Sequence, residues 1–275
     1  MSMSMSMSVV NDESPIRCTP VRRIRIKLEG PINFRDLGGP AALGGAVRHG
    51  VAYRADGLDT MTLADLETVF GRLGVTRVID LRSEDERSDP GIGLLADAPA
   101  ENHHVPILDQ TSSVWAGGTV RLADLYRSML EASADRFARA VHLIARADGP
   151  VVFHCAAGKD RTGLVAALVL GLLGVDDRDI CEDYAATGEV AAQLRQRIET
   201  MAADPRYAER FAAVRGRPDW PELVEEITSA HYSTMAALLD EIRSTDGTIT
   251  SWALRNGVAA SDIAHLHRRL VVARP

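Results

Sequence analysis

Cysteine is scarce in this chain, and its scarcity excludes a fold held together by disulfides. Three cysteines occur among 275 residues, at positions 18, 155 and 181, which is too few for a disulfide framework. A lone reactive thiol fits a reducing compartment, so the cytoplasm is the default expectation, with export without an obvious signal left open. We expect Cys181 to be a small core residue and Cys18 to lie in a loop or tail.

The sequence also lacks a membrane-spanning run and an excess of positive charge. No apolar stretch has the length that a bilayer requires, and the Met-Ser repeat at residues 1–8 lacks the charged and apolar regions of a secretory signal. A net charge of −7 argues against nucleic acid as a partner. Because 46% of the residues are hydrophobic, a sizeable core can form. We predict a disordered tail at 1–20 and a single domain over 21–275.

The most informative segment lies at residues 154–163, HCAAGKDRTG. An apolar run at 151–153 precedes it and an apolar stretch at 164–173 follows it. This pattern predicts a strand, a tight loop and a helix N-terminus. The first N–H groups of a helix lack intrahelical partners and, together with the helix dipole, form an anion site suited to phosphate. We call residues 155–161 the phosphate loop.

The side chains of the phosphate loop predict a nucleophile facing a bound phosphate. A helix N-terminus and nearby cations favour the thiolate of Cys155, and a thiolate beside a phosphate can attack phosphorus. Arg161 can hold two phosphate oxygens with its planar guanidinium. Lys159 adds a cation, and Thr162 offers its hydroxyl to the sulfur. Gly158 allows the backbone to turn with φ > 0 and to approach the ligand closely.

No set of metal ligands accompanies the phosphate loop in the sequence. His154 is the last residue of the predicted strand, and we expect it to brace the loop by hydrogen bonds, because no partner His or Cys lies at metal spacing. The predicted chemistry is therefore metal-independent and uses no cofactor. The residues expected to bind the substrate are Ala156, Ala157, Gly158, Lys159 and Thr162.

The order of elements along the chain predicts the fold class. Strands alternate with helices before the phosphate loop, and only helical patterns follow it, which is typical of an α/β fold: a mostly parallel central sheet flanked by helices, with an all-helical C-terminal part. The loop then lies at the carboxyl end of a strand, where open α/β sheets bind ligands. We also expect a polar, irregular segment at 83–99, one long helix at 222–243 and an edge strand at 21–28 with a solvated basic face.

Several strings of residues resemble a known family. Residues 154–162 match the signature of the cysteine-dependent protein tyrosine phosphatase superfamily, His-Cys-x5-Arg-Ser/Thr. The strings NFRDLGG at 33–39, YR at 53–54 and DLRS at 80–83 precede it in order. Together they resemble the bacterial branch typified by mycobacterial protein tyrosine phosphatase B. The similarity runs from about residue 32 to the C-terminal end and is weakest between 84 and 121.

This resemblance implies a phosphatase fold and a phosphocysteine intermediate. Members of that branch hydrolyse phosphotyrosine, and several also accept phosphoserine, phosphothreonine and phosphoinositides, so phosphotyrosine proteins and phosphoinositides are the implied partners. The resemblance also implies a mobile helical lid at 188–218, for which ordinary core-packing helices are the alternative.

Three aspartates compete as the general acid and base of the reaction. Asp160 lies in the phosphate loop between two cations, which favour its ionised form. Asp109 begins a loop after a predicted strand, as the acid does in many superfamily members. Asp124 lies on a predicted helix and is more readily explained as a surface residue. The resembled family carries aspartate at the Asp160 position, thought to serve in catalysis, so we favour Asp160 and keep Asp109 as the alternative.

Two other functions stay open at this point. A rhodanese-like sulfurtransferase also uses a cysteine in an amide-lined loop, although His154 and Thr162 argue against it. The other alternative is a catalytically silent module that binds phosphate. We read the charged residues of the 33–39 and 80–83 strings as braces that position the phosphate loop indirectly through mutual hydrogen bonds.

Overall fold

A five-stranded sheet forms the centre of the computed structural model, which describes residues 23–88, 91–107, 121–212 and 216–273. Its strands are β1 (Arg35–Asp36), β4 (Ala52–Ala55), β5 (Arg77–Asp80), β6 (Glu101–His104) and β7 (Val151–His154). Their order in the sheet is β1-β4-β7-β5-β6. All neighbouring pairs are parallel except β1 with β4, which confirms the predicted α/β class. A separate antiparallel sheet joins β2 (Ala41–Ala42), β3 (Gly45–Val47) and β8 (Val271–Val272).

Helices flank the sheet and make up most of the C-terminal part. Among the described residues none of them has the length and apolar character that crossing a membrane would require. Before the phosphate loop they are α1 (Leu63–Leu66), α2 (Glu84–Ser88), α3 (Leu122–Ala132) and α4 (Ala134–Ala145). After it they are α5 (Asp160–Leu172), α6 (Asp177–Ala185), α7 (Ala191–Ala203), α8 (Ala208–Phe211), α9 (Trp220–Thr228), α10 (Tyr232–Asp246), α11 (Ile249–Arg255) and α12 (Ala260–Leu270).

Several shorter helical segments lie between these elements. A π-helical turn at Glu67–Arg72 continues α1, and 3-10 turns occur at Leu58–Thr60, Gly93–Asp97, Ala186–Val190 and Pro205–Tyr207. Thr62 and Asp65 form a capping box at the start of α1, and Gly74, with φ +65°, ends that helical region.

The central sheet separates two apolar clusters because its side chains alternate between faces. Val78 pairs with Val152, and both belong to the smaller cluster. Ile79 pairs with Phe153, and both belong to the larger cluster, which contains most of α5. The central strand β7 is thus buried on both faces, which explains the unbroken apolar run at 151–153.

The register of the strands brings three loops to one edge of the sheet. His154 at the end of β7 lies opposite Ala55 of β4 and Asp80 of β5. The phosphate loop therefore leaves the middle of the sheet, flanked by the segments that begin at Asp56 and Leu81.

The expected edge strand at 21–28 is confirmed in part: Arg25 pairs antiparallel with Arg35 along the outer edge of β1. Its basic face is not simply solvated, because Arg23 donates to the carbonyl of Asp179 at 2.7 Å and Arg25 donates to Glu189 at 2.9 Å. Two other local expectations were wrong. Part of the segment expected to be irregular is helix α2. The long helix at 222–243 is divided after Thr228, because the backbone is extended at Ser229 (ψ 138°) and at His231 (ψ 132°).

Cys18, Asp109 and the tail at 1–20 lie outside the described residues, and the single domain over 21–275 stays a prediction.

Candidate active site

The phosphate loop joins the end of β7 to the start of α5, as the sequence pattern predicts. Within the loop Gly158 adopts φ +66°. A Cβ atom there would lie 2.6 Å from the carbonyl oxygen of Ala55, closer than van der Waals contact allows. Gly158 is therefore required both for the turn and for the close approach of the loop to β4.

The carbonyl groups of the phosphate loop are held on its outer side by the surrounding scaffold. Asn33 Nδ2 donates to the carbonyls of Ala157 (3.1 Å) and Gly158 (3.3 Å). Arg54 Nη2 also donates to Gly158 (2.7 Å), and the amide of Gly57 donates to Ala156 (3.0 Å). Since the C=O and N–H of one peptide unit point in opposite directions, the N–H groups that follow these carbonyls face away from the scaffold. The loop is thus arranged to present amide donors to an anion.

A buried carboxylate, Asp183 of α6, fixes the arginines behind the loop. Arg35 Nε lies 3.2 Å from Asp183 Oδ1, and Arg54 Nη1 donates to Oδ2. All three side chains are fully buried. Burial by itself would raise the pKa of Asp183, but Arg54 and Arg35 outweigh it and hold that pKa well below the usual range. Arg35 also donates to Asn33 Oδ1. Asp183 is therefore connected to the phosphate loop in two ways, through Arg35 and Asn33 and through Arg54.

A second group of buried residues lies around His154, at the entrance of the phosphate loop. His154 Nδ1 is 3.4 Å from the carbonyl oxygen of Cys155, and its Nε2 is 3.8 Å from Asp80 Oδ1. Arg82 donates to Asp80 through Nε (3.0 Å) and Nη2 (2.8 Å). Burial lowers the pKa of His154. For Asp80 burial acts in the opposite direction, but His154 and Arg82 outweigh it and hold the pKa at about 2.

Arg161 is oriented by Glu86, a residue that sequence reasoning missed. Arg161 Nη2 donates to Glu86 Oε1 at 2.8 Å, Nη1 donates to Oε2, and both residues are buried. This bidentate pair fixes the plane of the guanidinium. At the start of α2 the backbone N–H of Ser83 donates to Glu86 Oε2 at 2.8 Å, and the backbone N–H of Glu86 donates to Ser83 Oγ at 3.3 Å. The S-x-x-E spacing of a capping box was therefore the signal that could have located the helix and its glutamate.

The sequence predicts that Lys159 faces the substrate and that the hydroxyl of Thr162 contacts the sulfur of Cys155, but both side chains lie differently in the structure. Lys159 is only 1% exposed, and its Nζ donates to the carbonyl of Ile227 in α9 at 2.6 Å. The hydroxyl of Thr162 is buried and makes no hydrogen bond, to the sulfur or to any other group, within the described residues. The sulfur-bearing residue, Cys155, is itself 1% exposed. The loop is thus enclosed in this arrangement.

Asp160 is the first residue of α5 and contacts the side chains of Tyr126 and Lys159. Its Oδ1 accepts a hydrogen bond from Tyr126 of α3 and lies 3.3 Å from Lys159 Nζ. Tyr126 is in turn 2.7 Å from the hydroxyl of Tyr184 in α6. Asp124 lies in the first turn of α3. Asp160 belongs to the same short loop as Cys155 and Arg161.

Replacing Glu86 by glutamine is expected to lower kcat/KM by roughly 10- to 100-fold, because the guanidinium of Arg161 loses its charged partner and its fixed orientation. Steady-state hydrolysis of p-nitrophenyl phosphate measures this loss. Glu84 lies on the same helix but is largely exposed, so Glu84→Gln is the matched control and should change kcat/KM little. Equal activities of the two variants would contradict the role given to Glu86.

Comparisons with known proteins show the family to which this chain belongs. Residues 26–272 match the model of the "Tyrosine phosphatase family". The chain is 32% identical over 206 residues to the "Triple specificity protein phosphatase PtpB" of Mycobacterium tuberculosis, covering 64% of this chain and 73% of that protein. It is 32% identical over 151 residues to the "Tyrosine-protein phosphatase" of Nostoc commune, covering 53% of this chain and 51% of that one.

A solved structure is also similar: the core catalytic domain of the PP-IP phosphatase SIW14 from S. cerevisiae, in complex with citrate. It is 14% identical, has a TM-score of 0.39, and is matched over 80% of this chain and 96% of that one. The family match and the PtpB relationship confirm the resemblance carried by residues 154–162. The chain belongs to the tyrosine phosphatase family and is a phosphatase.

Proposed function

We propose that this phosphatase transfers the phosphoryl group of a phosphate monoester first to Cys155 and then to water. In the first step the thiolate attacks phosphorus, the S–P bond forms, the P–O bond to the leaving group breaks, and the leaving oxygen takes a proton from the general acid. In the second step the same carboxylate, now ionised, takes a proton from the attacking water, a new P–O bond forms, the S–P bond breaks and inorganic phosphate leaves. The loop amides and Arg161 stabilise the equatorial oxygens in both steps.

The observation that carries this proposal is the outward anchoring of the loop carbonyls at 156–158, since it directs amide donors to the site beside Cys155. The direct test is to quench turnover of a phosphate-labelled ester in acid and to look for the label on the peptide that contains Cys155. Turnover without a labelled peptide would contradict the two-step route.

We assign the general acid and base to Asp160. Asp160→Asn is expected to lower kcat by roughly 10²-fold or more, because neither the leaving group nor the attacking water is then assisted. It should also remove the acidic limb of the pH–rate profile, where the base is lost by protonation. Asp124→Asn is the matched control and should retain the parent kcat and the acidic limb of the pH–rate profile. Near-normal turnover of Asp160→Asn would transfer the role to Asp109.

The substrate class is proposed from the family and from the enclosed loop. Phosphotyrosine is the expected principal substrate, with phosphoserine, phosphothreonine and phosphoinositides as further ones. The name of the M. tuberculosis relative, a triple specificity phosphatase, supports this range. A side-by-side kcat/KM profile on phosphotyrosyl peptides, phosphothreonyl peptides and inositol lipids measures it. The cytoplasm remains the default expectation for the compartment.

A helical lid is proposed over the phosphate loop. Arg197 of α7 donates to Asp56 at 2.6 Å and to the carbonyl of Gly30 at 2.7 Å, and burial raises the pKa of Asp56 although Arg197 opposes this shift. Lys159 of the phosphate loop also donates to the carbonyl of Ile227 in α9. The covering segment would thus include α9 as well as the expected region at 188–218, and a bulky ester would reach Cys155 only after these contacts open.

A further inference from the structure

Two buried tyrosines lead from the interior of the protein to the carboxylate of Asp160. Tyr126 of α3 and Tyr184 of α6 are both almost fully buried. Their rings meet edge to face with centroids 6.0 Å apart, and their hydroxyl oxygens are 2.7 Å apart. Tyr126 also reaches Asp160 Oδ1. A buried hydroxyl without a hydrogen-bond partner destabilises the folded protein. The side chains of Tyr184, Tyr126 and Asp160 therefore depend on one another for their hydrogen bonds.

The direction of the hydrogen bonds follows from the ionisation of the three groups. Burial, followed by the charge of Asp160, raises the pKa of Tyr126 well above its ordinary value and that of Tyr184 likewise. Both phenols therefore keep their protons at any working pH. An ionised carboxylate only accepts, so Tyr126 donates to Asp160, and the oxygen of Tyr126 accepts from Tyr184.

The two oxygens of Asp160 are consequently not equivalent. Oδ1 accepts from Tyr126 and lies 3.3 Å from the ammonium of Lys159. An oxygen that already accepts a hydrogen bond and faces an ammonium is a poor site for a further proton, which is therefore carried by Oδ2. The charged and titratable groups around this carboxylate are Lys159 from the loop, Tyr126 from α3, Tyr184 from α6 and, beyond Tyr184, Arg54 from β4.

The position of Tyr184 is itself set closely. A Cβ atom at Gly163 would lie 3.0 Å from its ring, so the glycine that follows the signature motif provides the space for this ring against α5. The neighbouring Asp183 anchors α6 to Arg35 and Arg54. Asp160 is thus aligned by the same helix that braces the loop.

We propose that Tyr126 and Tyr184 are positioning residues that orient the Asp160 carboxylate and direct its catalytic proton to Oδ2. This inference rests on the proposed role of Asp160. Tyr126→Phe retains the ring and removes the donor, so it should lower kcat roughly tenfold with little change in KM. Because the ionised carboxylate loses a donor, the acidic limb of the pH–rate profile should move to higher pH. Tyr184→Phe acts one bond further away and should give a smaller effect of the same sign.

The decisive experiment is a double-mutant cycle. If Tyr126 acts through Asp160, Tyr126→Phe has no further effect on kcat in the Asp160→Asn background. An equal loss in both backgrounds would show a merely structural role and overturn the proposal. Tyr53→Phe is the control, because Tyr53 is equally buried but lies in the other apolar cluster, and it should leave kcat and the pH profile unchanged.

A ¹³C NMR titration of the aspartate carboxyls separates this proposal from the one on which it rests. Its Asp160 resonance is identified by its loss in Asp160→Asn, and the midpoint of that titration should move to higher pH in Tyr126→Phe. A midpoint that stays in place overturns the positioning role whatever the activity. A different outcome is a shifted midpoint in Tyr126→Phe together with full turnover by Asp160→Asn. Tyr126 would then orient Asp160, but Asp160 would not be the general acid and base, and no catalytic proton would be carried by its Oδ2.

Discussion

Replacing Cys155 by serine is expected to lower kcat by roughly 10³-fold or more, because an alcohol is scarcely ionised at neutral pH and is a far weaker nucleophile than a thiolate. The change of one atom leaves the amides of the phosphate loop and the Arg161–Glu86 pair in place. Binding of vanadate or phosphate, measured by calorimetry, should therefore remain. The loss is measured with p-nitrophenyl phosphate under saturating conditions.

Cys181 is the matched control for this substitution. It is also a buried free cysteine, but burial, together with Asp177, raises its pKa to about 12, so it remains a thiol. Cys181→Ser should retain most of the parent kcat. A Cys155→Ser protein that hydrolyses the ester as fast as the parent would remove the basis for the phosphocysteine route.

Replacing Arg161 by lysine is expected to lower kcat/KM by roughly 10³-fold, even though the charge is kept. An ammonium cannot hold Glu86 on one side and two phosphate oxygens on the other with planar geometry. The loss should therefore be similar for all monoesters, since the group recognised is the phosphate itself. Initial rates on two esters with different leaving groups measure it.

The control for Arg161→Lys is Arg127→Lys. Arg127 is exposed on α3, where it pairs with Glu131 and Glu241, and exposed pairs of this kind contribute little. Its replacement should leave kcat/KM within about twofold of the parent value. A small effect of Arg161→Lys, comparable to this control, would show that charge alone suffices at the loop.

The phosphate loop could be predicted from sequence because all of its information is contiguous. The apolar run of β7, the turn at Gly158 and the apolar helix α5 follow one another directly, and local periodicity detects each of them. The parallel sheet followed from the alternation of strands and helices. These features depend on neighbours in the chain, which a single sequence displays.

The supporting residues could not be predicted because their partners are distant in sequence. Glu86 meets Arg161 across 75 positions, and its surroundings read only as a polar segment. Tyr126 and Tyr184 lie on the buried faces of helices. The spacing of apolar residues predicts that their rings are buried, but it does not predict the hydrogen-bond partner of either hydroxyl. The four-carbon stem of Lys159 can turn its charge toward the anion or toward α9, and only the tertiary structure decides between them.

The anchoring of the phosphate loop has a consequence for how this protein acquires activity as it folds. Arg35 and Asp183 are 148 positions apart, and Asn33 contacts Ala157 across 124 positions. Contacts of such long range form late, since loop-closure entropy opposes them until much of the chain is in place. A nascent or partly assembled chain would therefore carry Cys155 without an ordered anion cradle, and the cradle would form only when the segment around Asn33 and Arg35 has met the phosphate loop and helix α6.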